Sequence, residues 1–78
     1  MTVTAYVLIQ TEVGRAEQVA SAARSIAGVV TSDNVAGPYD VIVKAESGTL
    51  DDLGKLVVSA IQKVEGITRT FTCPIVNL

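Results

Sequence analysis

"VVTSDNVAGPYDVIVKAE", residues 29–46, is the stretch whose reading decides the fold. Its halves are strand-like, "VVTSDNVA" weakly and "YDVIVKAE" strongly, and Gly37 and Pro38 separate them closely enough for a hairpin. In the second half Tyr39, Val41, Val43 and Ala45 alternate with Asp40, Ile42, Lys44 and Glu46. That period of two marks a strand whose first set faces a core and whose second set faces away from it.

A strand and a helix flank this hairpin on each side. Before it, "TVTAYVLIQ" (2–10) alternates, with Val3, Ala5, Val7 and Ile9 on one face and Thr4, Tyr6, Leu8 and Gln10 on the other. "GRAEQVASAARSIAG" (14–28) then places Ala16, Val19, Ala20, Ala23, Ile26 and Ala27 on one helical face. Gly14 suits its N-cap, Gly28 a left-handed position after its end, and Arg24 the negative end of its dipole. After the hairpin, "TLDDLGKLVVSAIQKVEG" (49–66) carries an apolar stripe of Leu53, Leu56, Val57, Ala60, Ile61 and Val64. Thr49 and Asp52 resemble a capping box at its start, and Gly66 closes it. "ITRTFTCPIV" (67–76) is the last strand, and Pro74 near its end fits an edge position.

The order β-α-β-β-α-β, with right-handed crossovers around a central hairpin, predicts an α+β ferredoxin-like sandwich. Two helices would cover one face of a four-stranded antiparallel sheet, and residues 1–78 would form a single domain. Tyr6, Leu8 and Ile42 then fall together on the open face. A face left to water should be polar. Theirs is expected to meet its own copy in a two-fold dimer.

Composition agrees. The 78 residues are 49% hydrophobic and the mean hydropathy is +0.46. A domain this small buries only about 60% of the surface its unfolded chain exposes, so apolar surface is left for a partner to cover. No apolar run approaches the roughly 20 residues of a membrane-spanning helix. The start "MTVTAYVL" has no basic leader, and the one cysteine cannot form an internal disulfide, which points to the reducing cytoplasm. Net charge is −2, and the six basic residues are scattered. That is a poor footprint for nucleic acid, whose affinity comes from clustered Lys and Arg on phosphates.

Chemistry is sparse. There is no histidine, which removes His-based acid–base pairs and His metal sites, and no cofactor is expected. Cys73 has no activating neighbour, and no Gly-rich phosphate loop precedes a helix. The aromatics Tyr6, Tyr39 and Phe71 sit in an acidic chain, unlike an RNA-stacking sheet. Asp51 and Asp52 lie at a helix start, where the dipole favours carboxylates. What remains is the hairpin. Gly37 exposes its N–H to a close neighbour, Pro38 stiffens the turn, and Asp40 offers a carboxylate to an ammonium or to the turn's own amides. Spacing alone does not choose between those two uses.

"NVAGPYDVIVKA", a leucine-bearing second helix and then "VEGITRTFTCPIV" resemble the C-terminal domain of the leucine-responsive/asparagine (Lrp/AsnC) regulators, over essentially the whole chain. The resemblance implies a stand-alone effector-binding and oligomerisation (RAM) domain without the family's DNA-binding helix-turn-helix. It implies dimers formed sheet to sheet, associating into rings, typically octamers, with full-length regulators of the family as possible partners. It further implies that a small effector, usually an amino acid, binds where dimers meet. Asn34, Gly37, Tyr39 and Asp40 would line that cleft from the hairpin, and Thr70, Phe71, Thr72 and Cys73 from the last strand. Asp40 would take the ammonium, while backbone amides and threonine hydroxyls receive the carboxylate. Tyr39, if inward, would pack beneath the cleft. Pro38 removes one N–H, and Thr72-Cys73-Pro74 is less apolar than an aliphatic site needs, which favours a polar or small amino acid. Two rival readings belong to other classes: a small dimeric α+β barrel enzyme of the cofactor-free monooxygenase or isomerase type, and a purely structural oligomeriser.

Overall fold

Strand β1 (Val3–Thr11) is the spine of the molecule, and its alternation is the physical origin of the two-layer fold. In the computed structural model, which describes residues 2–76, β1 is followed by α1 (Ala16–Arg24), β2 (Val29–Asn34) and β3 (Val41–Ser47). A second helical stretch comes next, built from α2 (Leu50–Asp52), a π-helical segment (Leu53–Val58) and α3 (Ser59–Gln62), and β4 (Ile67–Pro74) completes the chain of elements. The strands pair antiparallel in the order β2-β3-β1-β4. This is the ferredoxin-like βαββαβ arrangement that the sequence predicts, and β4, with its Pro74, is an edge strand.

The helices cover one face. Ala5, Val7 and Ile9 of β1 and Val41, Val43 and Ala45 of β3 are buried against Val19, Ala20 and Ala23 of α1 and against Leu53, Val57 and Ile61. The alanines of α1 let its backbone approach the sheet closely. Ser32 of β2 is the buried polar residue in this layer, and its hydroxyl donates to the Ala20 carbonyl at 2.9 Å. Beside it the Arg24 guanidinium donates to the Ser32 carbonyl at 2.6 Å, so the cation at the end of α1 also fastens the helix to β2.

Several local expectations shift. The N-cap of α1 is Arg15, not Gly14, and the helix ends at Arg24, which leaves Ala27 exposed beyond the apolar face assigned to it. Gly28 follows at φ +96°, where an added Cβ would lie 2.5 Å from Val57 Cγ2 and 3.1 Å from the Glu46 carbonyl. Only glycine fits so close an approach in that conformation. Thr49 caps the second helical stretch as predicted, its hydroxyl accepting from the Asp52 N–H at 3.0 Å. The stretch then widens, because both the N–H and the hydroxyl of Ser59 donate to the Gly54 carbonyl, one residue further back than in an α-helix. Of the predicted stripe, Leu53, Val57 and Ile61 are buried, Ala60 and Val64 half-buried, and the side chain of Leu56 lies outside the described residues. Among the described residues no helix is long and apolar enough to cross a membrane.

Candidate functional site

The carboxyl end of β1 and the loop from 35 to 40 form one hydrogen-bonded corner. The Asp40 N–H donates to the Ile9 carbonyl at 2.9 Å, and the Val35 N–H closes the loop on the Asp40 carbonyl at 3.0 Å. Gln10 Nε2 donates to the Pro38 carbonyl at 3.0 Å. Asp40 Oδ2 then accepts from both the N–H of Thr11, at 2.8 Å, and its hydroxyl, at 3.3 Å. The two uses the sequence left open for Asp40 are thus joined by another. Its carboxylate serves neighbouring β1, not the amides of its own turn. Oδ1 makes no hydrogen bond among the described residues, and no buried side-chain oxygen among them lacks a partner. That oxygen is therefore not enclosed, while the two donors on its twin hold the carboxylate in place.

A β-bulge sits beside this anchor. Gln10 pairs with Arg69 but Thr11 with Ile67, so Thr68 is the extra residue on β4. The Thr11 N–H serves Asp40 at this interrupted point of the ladder.

Tyr39 departs from its expected inward position. β3 begins only at Val41, and the bond from the Asp40 N–H to Ile9 turns the chain there, so the alternation does not extend back to residue 39. Instead the Tyr39 ring meets Phe71 edge to face, at 5.9 Å between centroids and 78° between planes. Phe71 pairs with Leu8, which puts it on the open face, and the Arg69 guanidinium lies 5.8 Å from its ring centroid.

Within one chain, then, Tyr39 and Asp40 come together with Phe71 of β4, and Gly37 lies in the loop that carries the first two. Gly37 has φ +145° and open space around it, so its constraint is conformational and not steric. The other predicted residues lie apart from this corner. Asn34 is exposed and pairs with Val41 on the outer edge strand β2. Thr70 and Thr72 share the register positions of the inward Ile9 and Val7, and Thr70 Oγ1 already accepts from Gln62 Nε2 at 3.4 Å. Cys73 is exposed on the open face opposite Tyr6. Tyr6, Leu8 and Ile42 share that face as expected: Leu8 lies between Ile42 on β3 and Phe71 on β4. Sequence reading missed Gln10, Thr11 and Arg69. The signal was present in the polar pair that ends an apolar strand, and in Arg69 standing two residues before Phe71 on one strand face.

Elsewhere, a groove of about 560 Å³ opens beside Ile26, Gly28, Glu46 and Val57. It lies at the far end of β3 from Asp40. Among the described residues no group of three or more His, Cys, Asp or Glu could hold a metal ion.

The chain shares this architecture with known proteins. It superposes on the crystal structure of TTHA0845 from Thermus thermophilus with a TM-score of 0.88 at 28% identity, covering 97% of this chain and 95% of that one. For the hypothetical protein PHS023 from Pyrococcus horikoshii the TM-score is 0.86 at 32% identity, with 100% and 93% covered. An uncharacterised HTH-type transcriptional regulator of Pyrococcus furiosus, PF0250, is 32% identical over 76 residues, which take in 88% of this chain. The chain spans 48% of that regulator's length. The description of the Lrp/AsnC ligand binding domain matches residues 4–77. The chain therefore belongs to the Lrp/AsnC ligand-binding domain family, whose members are non-enzymatic, effector-binding regulatory modules.

Proposed function

We propose that this protein senses an amino acid, working in the cytoplasm as one effector-binding and oligomerisation domain over residues 1–78. The observation that carries the reading is the corner where Asp40, anchored to Thr11, keeps one carboxylate oxygen free of partners among the described residues, next to the Tyr39–Phe71 pair. A carboxylate held this way is suited to an ammonium through a charge-assisted hydrogen bond. The adjacent rings offer apolar contact to what the ammonium is attached to.

Two copies associate through the open faces, with Tyr6, Leu8 and Ile42 at the centre, and dimers build rings up to an octamer. In such an assembly Asn34, Thr70, Thr72 and Cys73, which lie apart from the corner in one chain, join Gly37 of the corner loop to complete clefts between neighbours. Ligand in those clefts shifts assembly, or the surface shown to a full-length Lrp/AsnC regulator, and so bears on transcription. The shift requires different affinities for the two states, since equal binding moves no equilibrium.

The test is a thermal-melt panel of the purified protein against the twenty amino acids, with Asp40→Ala in parallel. A ligand at 100 times its dissociation constant adds about 2.7 kcal/mol, several degrees for a domain of this size. We expect a selective shift that Asp40→Ala abolishes. A flat panel sinks the amino-acid reading and leaves a structural oligomeriser. A shift that survives in Asp40→Ala removes Asp40 from the site.

A further inference from the structure

We propose that Arg69 is the carboxylate-binding residue of this site, so that a free α-amino acid is held by both of its charges: ammonium on Asp40, carboxylate on Arg69. The inference rests on the amino-acid reading and deepens it.

Asp40 and Arg69 flank the same end of β1 from opposite sides. Asp40 is anchored to Thr11 from the β3 side. Arg69 pairs with Gln10, the residue before Thr11, from the β4 side. Contacts connect them: the Arg69 guanidinium lies against the Phe71 ring, and that ring against Tyr39, the neighbour of Asp40. The result is an acid, two aromatic rings and a cation in sequence across one corner of the open face.

Neither charge is neutralised by the other. The ion pair found among the described residues is Asp51–Lys55, on the second helical stretch. Across β1 the backbones of β3 and β4 stand about 10 Å apart, two strand spacings. A small zwitterion with a hydrogen bond of roughly 2.8 Å at each end can bridge that gap, given the reach of an arginine side chain.

The alternatives for the carboxylate are weaker here. Thr70 and Thr72 share the inward register positions of Ile9 and Val7, on the opposite face of β4 from Arg69 and Phe71. Pro38 has no N–H to give. Arg69 has a planar fork of donors that matches a carboxylate, and the Phe71 ring limits the positions that fork can take.

The experiment is a binding titration of the full protein with the twenty free L-amino acids and with their α-carboxamides. It is run on the wild type and on Arg69→Gln, Arg69→Lys and Asp40→Ala. Arg69 is exposed, so Arg69→Gln is expected to melt like the wild type without ligand. We expect an amino acid to bind while its carboxamide does not, and Arg69→Gln to weaken binding roughly ten- to hundredfold. Arg69→Lys should recover part of the loss, because it restores charge without the fork. Discrimination between acid and amide is a readout that a merely structural role for Arg69 would leave unmoved.

Equal binding of acid and amide overturns the inference. So does full affinity in Arg69→Gln when Asp40→Ala has lost it; the amino-acid reading then stands without Arg69. No binding by any of the twenty acids to the wild type overturns both.

Discussion

On the helix side of β1, Ala5, Val7 and Ile9 are completely enclosed; on the other side of the same strand Tyr6 is 41% exposed and Leu8 only half-buried. β4 adds Phe71, 44% exposed, to that second side. One strand thus presents apolar side chains to two different environments. The inward set reaches its final burial within its own chain, where each large side chain contributes about 1.5–3 kcal/mol. The outward set places Tyr6 and Leu8 between Thr4 and Gln10, more apolar than a face left to water, and nothing among the described residues covers it. The contrast separates folding from association by residue parity alone: odd positions of β1 make the fold, and even positions make the surface on which the proposed assembly depends.

Substitutions along β1 test that separation most strongly. Ile9→Ala should lower the free energy of unfolding by about 2–5 kcal/mol, measured by urea denaturation, which for so small a domain is a large share of the total. Leu8→Asp, one residue away, should leave a folded chain but weaken self-association roughly tenfold or more, seen as a concentration-dependent shift in size-exclusion elution. If Leu8→Asp unfolds the chain as thoroughly as Ile9→Ala, the distinction between the faces is lost. Ser32→Ala removes the buried bond to the Ala20 carbonyl and should cost about 1 kcal/mol by the same denaturation, with association unchanged. Lys55→Ala breaks an exposed ion pair of 3.1 Å to Asp51 and should change stability by only about 0.3–0.5 kcal/mol, sharpening the scale against which the others are read.

The fold was legible because its signals agree. Period-two strands, an alanine-faced helix, the Thr49 cap and the Gly-Pro turn all specify the same topology, and each is a local property of consecutive residues. The corner at Asp40 was legible only in part. Gly37 and Asp40 stand out as turn chemistry, but the partner of Asp40 is Thr11, twenty-nine positions away, and the bulge at Thr68 leaves no mark on the alternation. Tyr39 was misplaced for a related reason, since one backbone bond to Ile9 makes the strand begin two residues later than periodicity suggests. The π-helical turn at Gly54 and Ser59 was hidden too, because it changes the helix by one residue while keeping Leu53, Val57 and Ile61 on one face. Local pattern encodes elements; contacts distant in sequence determine the site.

Sedimentation velocity of the wild-type protein at micromolar concentration, with Leu8→Asp alongside, tests the two-face account most directly. The wild type should sediment as a dimer or a multiple of one, and Leu8→Asp should shift it toward monomer. A wild-type chain that sediments as a monomer, or a Leu8→Asp chain that assembles like the wild type, would contradict it.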